Sequence, residues 1–126
     1  MKNYFYIMIN TFKKKSLNRI LQEIYAKKQI ASGFVVEFGA ESGSTKNFTN
    51  FVNIIDKKNI VYADKIIKED KEIISEDLEK ELSFKDQSFD SVIIFNVLEH
   101  VYNIHNAIKE IHRSLKKGGL IIGSTP

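Results

Sequence analysis

An α/β fold, doubly wound with a mainly parallel sheet and helices on both faces, is predicted by three segments read in order. A short apolar run breaks into glycines at Val35 to Ser44 (VVEFGAESGS). A loop, a buried run and a helix start follow at Leu82 to His100 (LSFKDQSFDSVIIFNVLEH), then a helix end, a glycine pair and another apolar run at Leu115 to Pro126 (LKKGGLIIGSTP). Strands alternating with helices in this way pair in parallel through right-handed crossovers.

Each element has its own warrant. From Thr11 to Ala31, Leu17, Ile20, Leu21, Ile24 and Tyr25 recur at helical spacing, which predicts an amphipathic helix with lysines outward, stopped by Ser32-Gly33. Phe34 to Phe38 reads as a buried parallel strand entering a nucleotide-facing turn. Ser44 or Thr45 caps a helix to about Ile55, with Phe48, Phe51, Val52 and Ile55 inward. Lys58 to Ala63 is a second strand ending at Asp64, and Glu72 to Ser75 a short third one ending near Asp77; the acidic stretch Glu69 to Glu81 is a solvated connection. Ser91 to Phe95 is the clearest strand. Ile104 to Leu115 is a helix ended by Gly118-Gly119, and Leu120 to Gly123 opens the next strand. No internal repeat, low-complexity segment or linker interrupts the pattern.

A chain of 126 residues is one domain at most and can still bury a core. It has no cysteine, which excludes disulfides, thiolate chemistry and cysteine-ligated metal; the cytoplasm is the default location. Charge is uneven. Residues 1–32 carry seven Lys/Arg against Glu23 alone, a net +6, and residues 33–126 carry twelve against fifteen acids, a net −3. The chain therefore divides into a basic amphipathic N-terminal helix, 1–32, and a nucleotide-binding unit, 33–126. The apolar run Tyr4 to Ile9 is far short of the roughly 20 residues of a membrane span and lacks a signal-peptide cleavage site. A solvated lysine face is preferred to a nucleic-acid or membrane contact, so no nucleic-acid partner is expected.

The loop Glu37-Phe38-Gly39-Ala40-Glu41-Ser42-Gly43 puts glycines where a strand turns into a helix, so backbone N–H groups can approach a ligand. A carboxylate ends each following strand, Asp64 and Asp77. The first suits a ribose diol; the second, one strand further along the same edge, lies near where a base would sit.

The run DLEKELSFKDQSFDSVIIFNVLEHV, then a helix, then LKKGGLIIGSTP resembles the class I S-adenosylmethionine-dependent methyltransferases, whose hallmark reads roughly DxxxLPFxDxSFDxVxxxxVLEHV and LKPGGxLxxSTP. The resemblance covers about Val35 to Pro126 and implies a Rossmann-like domain with S-adenosylmethionine as cofactor. It implies that Glu37 and the backbone of Gly39 and Gly43 hold the methionine end, that Asp64 takes the ribose hydroxyls, and that Asp77 and Leu78 contact the adenine. Asn96 would line the cavity where the methyl faces its acceptor. His100 is the candidate catalytic residue, a general base or a group that orients an acceptor hydroxyl; the competing reading, which is favoured, is a helix-start histidine that bonds locally. Some relatives bind a divalent metal through ExxEH; here the segment is Asn96-Val97-Leu98-Glu99-His100, without the first carboxylate, and no metal is expected. His105 and His112 read as surface residues.

Two departures stand out. Glu41 replaces the central glycine of ExGxGxG, adding a side chain where left-handed backbone costs about 1 kcal/mol and a carboxylate near that of the methionine. The chain also stops after the fifth strand, where relatives continue with a helix and two strands, so two alternatives stand: a fragment of a longer protein, or a homodimer mate or partner that covers that edge. The leading function is methyl transfer to a small-molecule acceptor, a sugar or other biosynthetic intermediate. The alternative is a degenerate cofactor-binding module acting through protein contacts. A nicotinamide-dinucleotide domain ranks third, because the LEH and STP segments resemble methyltransferases.

Overall fold

The structure is a computed structural model that describes residues 2–40, 47–66 and 72–126. Five strands form one parallel sheet: β1 (Ile30–Phe38), β2 (Asn53–Asp64), β3 (Ile73–Ser75), β4 (Phe89–Phe95) and β5 (Leu115–Ser124), in the order β3-β2-β1-β4-β5. The chain winds outward from β1 on both sides, and such a reversal of direction opens a crevice at the carboxyl ends of the central strands.

Strand alternation divides the core in two. Val36, Phe38, Val92 and Ile94 face one side and pack against Ala107 and Ile111 of α3 (Ile104–Ser114). Val35, Ile93 and Phe95 face the other, against Ala26 of α2 (Leu17–Ala26), Phe48 and Ile122. Both layers are covered: Val35, Val36, Val92 and Ile93 are all 0% exposed, which is why the runs VV and VII are continuous rather than alternating.

Five expectations need correction. The single helix over Thr11 to Ala31 is two helices, α1 (Lys2–Phe12) and α2, joined by a turn in which Lys14 adopts φ +58°. Ser16 ends any continuity: its side chain accepts the Arg19 N–H at 3.2 Å and caps α2, a local bond that competes with helix propagation. The inner face also differs. Ile20, Gln22, Glu23 and Ala26 are buried, whereas Leu17 (60%) and Leu21 (51%) are exposed. Ser32-Gly33 then falls inside β1, where Gly33 (φ +64°) forms an irregularity that lets the Phe34 N–H reach Asp90 Oδ2 at 2.8 Å.

The helix expected as far as Ile55 is, among the described residues, one 3₁₀ turn at Phe48–Asn50, and β2 begins already at Asn53. Ile54 and Ile55 pair with Ala31 and Ser32 of β1, so their β-branched stiffness is used in sheet, not helix. The proposed caps Ser44 and Thr45 lie outside the described residues. Finally, α3 ends at Ser114 and the Gly118-Gly119 pair sits within β5, with Gly118 at φ +77°.

The segment before β4 is tied to α3 by Arg113. Its guanidinium donates to Glu110 Oε2 (2.7 Å), Asp86 Oδ1 (2.8 Å) and the carbonyls of Phe84 (2.8 Å) and Leu82 (3.1 Å), while Glu110 Oε2 accepts the Leu82 N–H at 2.9 Å. Arg113→Ala is expected to cost about 2–4 kcal/mol, because two carbonyls and a mostly buried carboxylate lose a charged partner; urea titration measures it, and an unchanged midpoint would show the clamp to be idle.

Candidate active site

A cleft of about 970 Å³ opens at the carboxyl ends of the strands. Glu37 and Gly39 reach it from the end of β1, Asp64 from β2, Asp77 and Leu78 from the segment after β3, and Asn96 and His100 from the segment after β4. Every candidate cofactor-binding or catalytic residue is thus at one cleft, except Gly43, which with Glu41 lies outside the described residues.

Glu37 is 3% exposed and sits under the 3₁₀ turn, where Oε1 accepts the Phe48 N–H (2.7 Å) and Oε2 the Thr49 N–H (2.9 Å). The preceding residue, Asn47, makes no side-chain capping bond, so a strand carboxylate does the work of a helix cap. Burial pushes its pKa up, opposed by the backbone N–H groups. Gly39 has φ +73°, and a Cβ there would stand 2.4 Å from Val97 Cγ2; its freedom lets β1 turn into the loop beside the chain leaving β4.

Asp64 Oδ1 accepts the Ile66 N–H at 3.1 Å. Asp77 Oδ1 accepts the Glu79 N–H at 3.0 Å and Oδ2 faces Lys65 Nζ at 3.4 Å; the backbone bond outweighs the opposing desolvation and, with help from Lys65, holds its carboxyl below the usual range. Asp77 is therefore an ionised acceptor at neutral pH, beside the buried Leu78. Asn96 adopts φ +56° and exchanges two amide hydrogen bonds with Gln22, donating to Oε1 (2.9 Å) and accepting from Nε2 (2.6 Å). His100 is at the rim, 78% exposed, with Nε2 3.9 Å from Glu99 Oε1. His105 and His112 are exposed on α3. Among the described residues no cluster of three His, Cys, Asp or Glu could hold a metal ion.

The N-terminal contribution was missed by sequence reasoning. Lys13, Lys14, Lys15, Ser16 and Arg19 line the same cleft. Glu23, 1% exposed, binds Lys15 Nζ (2.9 Å), Arg19 Nε (2.9 Å) and the Tyr6 hydroxyl. Burial disfavours the Glu23 carboxylate, but bonds from Tyr6, Arg19 and Lys15 outweigh it and leave its pKa low; burial, and then Glu23, push the Tyr6 hydroxyl up to about 12. Arg19 also stacks on Phe48 (3.9 Å), which stacks on Phe95 (3.9 Å). The signal lay in polarity: Gln22 and Glu23, the latter the sole acid of the basic segment, fall on the helix face shared with Ile20 and Ala26.

The fold is that of known methyltransferases. A chain from the complex between the Haloferax volcanii Trm112 methyltransferase activator and a candidate methyltransferase superposes with a TM-score of 0.56 at 19% identity, over 79% of this chain and 47% of that one. A candidate S-adenosyl-L-methionine-dependent methyltransferase of Methanococcus maripaludis gives 0.57 at 16%, over 82% and 54%. The methyltransferase CalH, solved with S-adenosylhomocysteine, gives 0.50 at 16%, over 83% and 35%. The chain thus spans about half the length of the first two, and identities this low speak for the fold alone. No curated protein matches. The methyltransferase-domain model matches residues 36–123, from the middle of β1 almost to the end of β5, and the chain belongs to that family, the class I S-adenosylmethionine-dependent methyltransferase domains.

Proposed function

We propose that this chain binds S-adenosylmethionine in the cleft and transfers its methyl group to a small-molecule acceptor, a sugar or other biosynthetic intermediate. The observation that carries the reading is the convergence of Gly39, Asp64, Asp77, Leu78 and Asn96 from four strand ends on one cleft of suitable size. The donor set fits the cofactor: two carboxylates on neighbouring strands match a diol and a base, a buried leucine supplies an apolar wall, and a glycine at positive φ permits close backbone approach.

Bound there, S-adenosylmethionine would supply an electrophilic sulfonium methyl for in-line displacement, leaving S-adenosylhomocysteine. Asp64 would accept the ribose hydroxyls, and Asp77 the exocyclic amine of an adenine resting on Leu78. Glu37 and the backbone of Gly39 and Gly43 would hold the methionine end; Glu37 does so in part by fixing the Phe48–Asn50 turn. Asn96, held by Gln22, would line the methyl-facing cavity. His100, at the rim, would take the proton that an O or N nucleophile loses, or orient the acceptor. The protein's part is mainly positioning.

Calorimetric titration with S-adenosylmethionine and S-adenosylhomocysteine tests this reading. Saturable binding is expected, weakened about 10- to 100-fold in Asp77→Ala through loss of a charged acceptor; no heat and no thermal stabilisation by either ligand would overturn it. The alternative, a degenerate module acting through protein contacts, is favoured by Leu120 and Ile121, about half exposed on the outermost strand β5, and that module would show no saturable ligand.

A further inference from the structure

We propose that Lys13 and Lys14 form an anion subsite in the acceptor part of the cleft, so that the acceptor carries a phosphate or carboxylate group. The inference rests on the methyl-transfer reading and adds the acceptor's chemistry to it. Six polar residues of the α1–α2 region line the cleft, Lys13, Lys14, Lys15, Ser16, Arg19 and Glu23, and the four cations among them are not equivalent. Lys15 and Arg19 share the single buried carboxylate of Glu23, which offsets one of their two charges and ties both side chains down. Lys13 and Lys14 are exposed, and among the described residues neither ammonium meets an acid, a hydrogen-bond acceptor or a ring.

Their placement is fixed by the backbone around them. Lys13 and Lys15 N–H groups bond the carbonyls of Ile9 and Asn10 (3.1 Å each), the Lys14 N–H bonds Thr11 O (3.0 Å), and Lys14 holds φ +58°. A lysine in the left-handed region costs about 1 kcal/mol or more. The turn is anchored at its far side through α2: Gln22 bonds both Asn96 and Ser124 Oγ (3.0 Å), and Arg19 lies on Phe48. Two unneutralised cations are therefore held over the cleft by a rigid support.

The cleft is polarised accordingly. Among the described residues, Asp64, Glu76, Asp77 and Glu79, with Lys65 as their one cation, line it from the β2 and β3 side, and Lys13, Lys14, Lys15 and Arg19, with Glu23 as their acid, from the N-terminal side. The acidic part suits the hydroxyls and amine of an adenosine, and the basic part suits an anion. A volume of about 970 Å³ is near the upper end of the roughly 300–1,000 Å³ typical of ligand sites, which leaves room for a second ligand beside the cofactor. The methionine end of the cofactor would be held by Glu37 and the backbone of Gly39 and Gly43, which leaves the lysines for the acceptor.

The test uses the full chain, parent and Lys13→Ser/Lys14→Ser, with inorganic pyrophosphate as probe, titrated with and without saturating S-adenosylhomocysteine at constant ionic strength. The parent is expected to bind pyrophosphate at least about tenfold more tightly than the double variant, with S-adenosylhomocysteine affinity equal in the two. Equal pyrophosphate affinity would overturn the proposal. Weakened S-adenosylhomocysteine binding in the variant would also overturn it, assigning the lysines to the cofactor's carboxylate. If the parent bound pyrophosphate through these lysines but not S-adenosylhomocysteine, the anion subsite would stand and the methyl-transfer reading would fall.

Discussion

Glu37→Ala is expected to remove about 2–6 kcal/mol of stability and, with it, the proposed cofactor site. The substitution leaves the Phe48 and Thr49 N–H groups, both buried with their turn, without an acceptor, and each orphaned donor costs about 1–3 kcal/mol. For a domain of ordinary stability, about 5–15 kcal/mol, that is a large share. Phe48 is the pivot. Its ring lies between Arg19 and Phe95, so a displaced turn loosens both the basic wall and the end of β4. Glu37→Gln keeps one acceptor and should lose less. Its deficit should also depend on pH. Because burial raises the folded pKa of Glu37, the folded chain takes up a proton more readily than the unfolded one, and the parent gains stability from this group as pH falls. The Glu37→Gln deficit should therefore be larger near about pH 4 than near about pH 7. Urea unfolding of parent and variants at both pH values measures this, and a deficit that grows toward neutrality would contradict the assignment of burial as the dominant influence.

The sheet and the side of the cleft formed by the strand ends were legible in the sequence because strands buried on both faces write themselves as unbroken apolar runs. Val92, Ile93 and Ile94 could belong to little else, and the acid or amide that follows a parallel strand must sit at its carboxyl end whatever the details of packing. Asp64, Asp77 and Asn96 were found for that reason. The N-terminal half was not legible, because its helix pattern pointed to the wrong face. Leu17, Leu21 and Tyr25 look like a core stripe, yet they are exposed, and the inward positions hold Gln22 and Glu23. A polar residue is buried only where partners await it, and those partners, Tyr6, Lys15, Arg19, Asn96 and Ser124, come from as far as 102 positions away. Periodicity sees only neighbours three and four apart. The Phe48–Asn50 turn was missed for a related reason: the carboxylate that accepts its Phe48 and Thr49 N–H groups is Glu37, on the preceding strand.

The other large effect is expected at Gly123, just before the Ser124-Thr125-Pro126 ending. A Cβ on Gly123 would lie 1.8 Å from the Ile94 carbonyl oxygen and 2.8 Å from its carbon, and these are backbone atoms of the neighbouring strand, paired with Gly123 itself. No rotamer change relieves that overlap. β5 would have to move away from β4 or slip its register, and a slip turns every side chain to the wrong face, taking the buried Ile122 out of the core. Gly123→Ala is therefore expected to cost about 3 kcal/mol or more, beyond ordinary overpacking. Gly118→Ala is the control within the same strand: nothing lies within 4 Å of its Cβ, and only its φ of +77° opposes the change, which sets the cost at about 1–2 kcal/mol. The difference matters for the cleft because Ser124 follows Gly123 directly, its carbonyl accepting the Asn96 N–H at 3.0 Å and its hydroxyl oxygen accepting from Gln22. A β5 pushed off β4 releases the tie that holds α2, and with it the preceding turn that carries Lys13 and Lys14, beside the cleft, so Gly123→Ala should weaken pyrophosphate binding even in the fraction that remains folded, whereas Gly118→Ala should not. Equal stability losses in the two variants would mean that the close β4–β5 approach is not what the glycine serves.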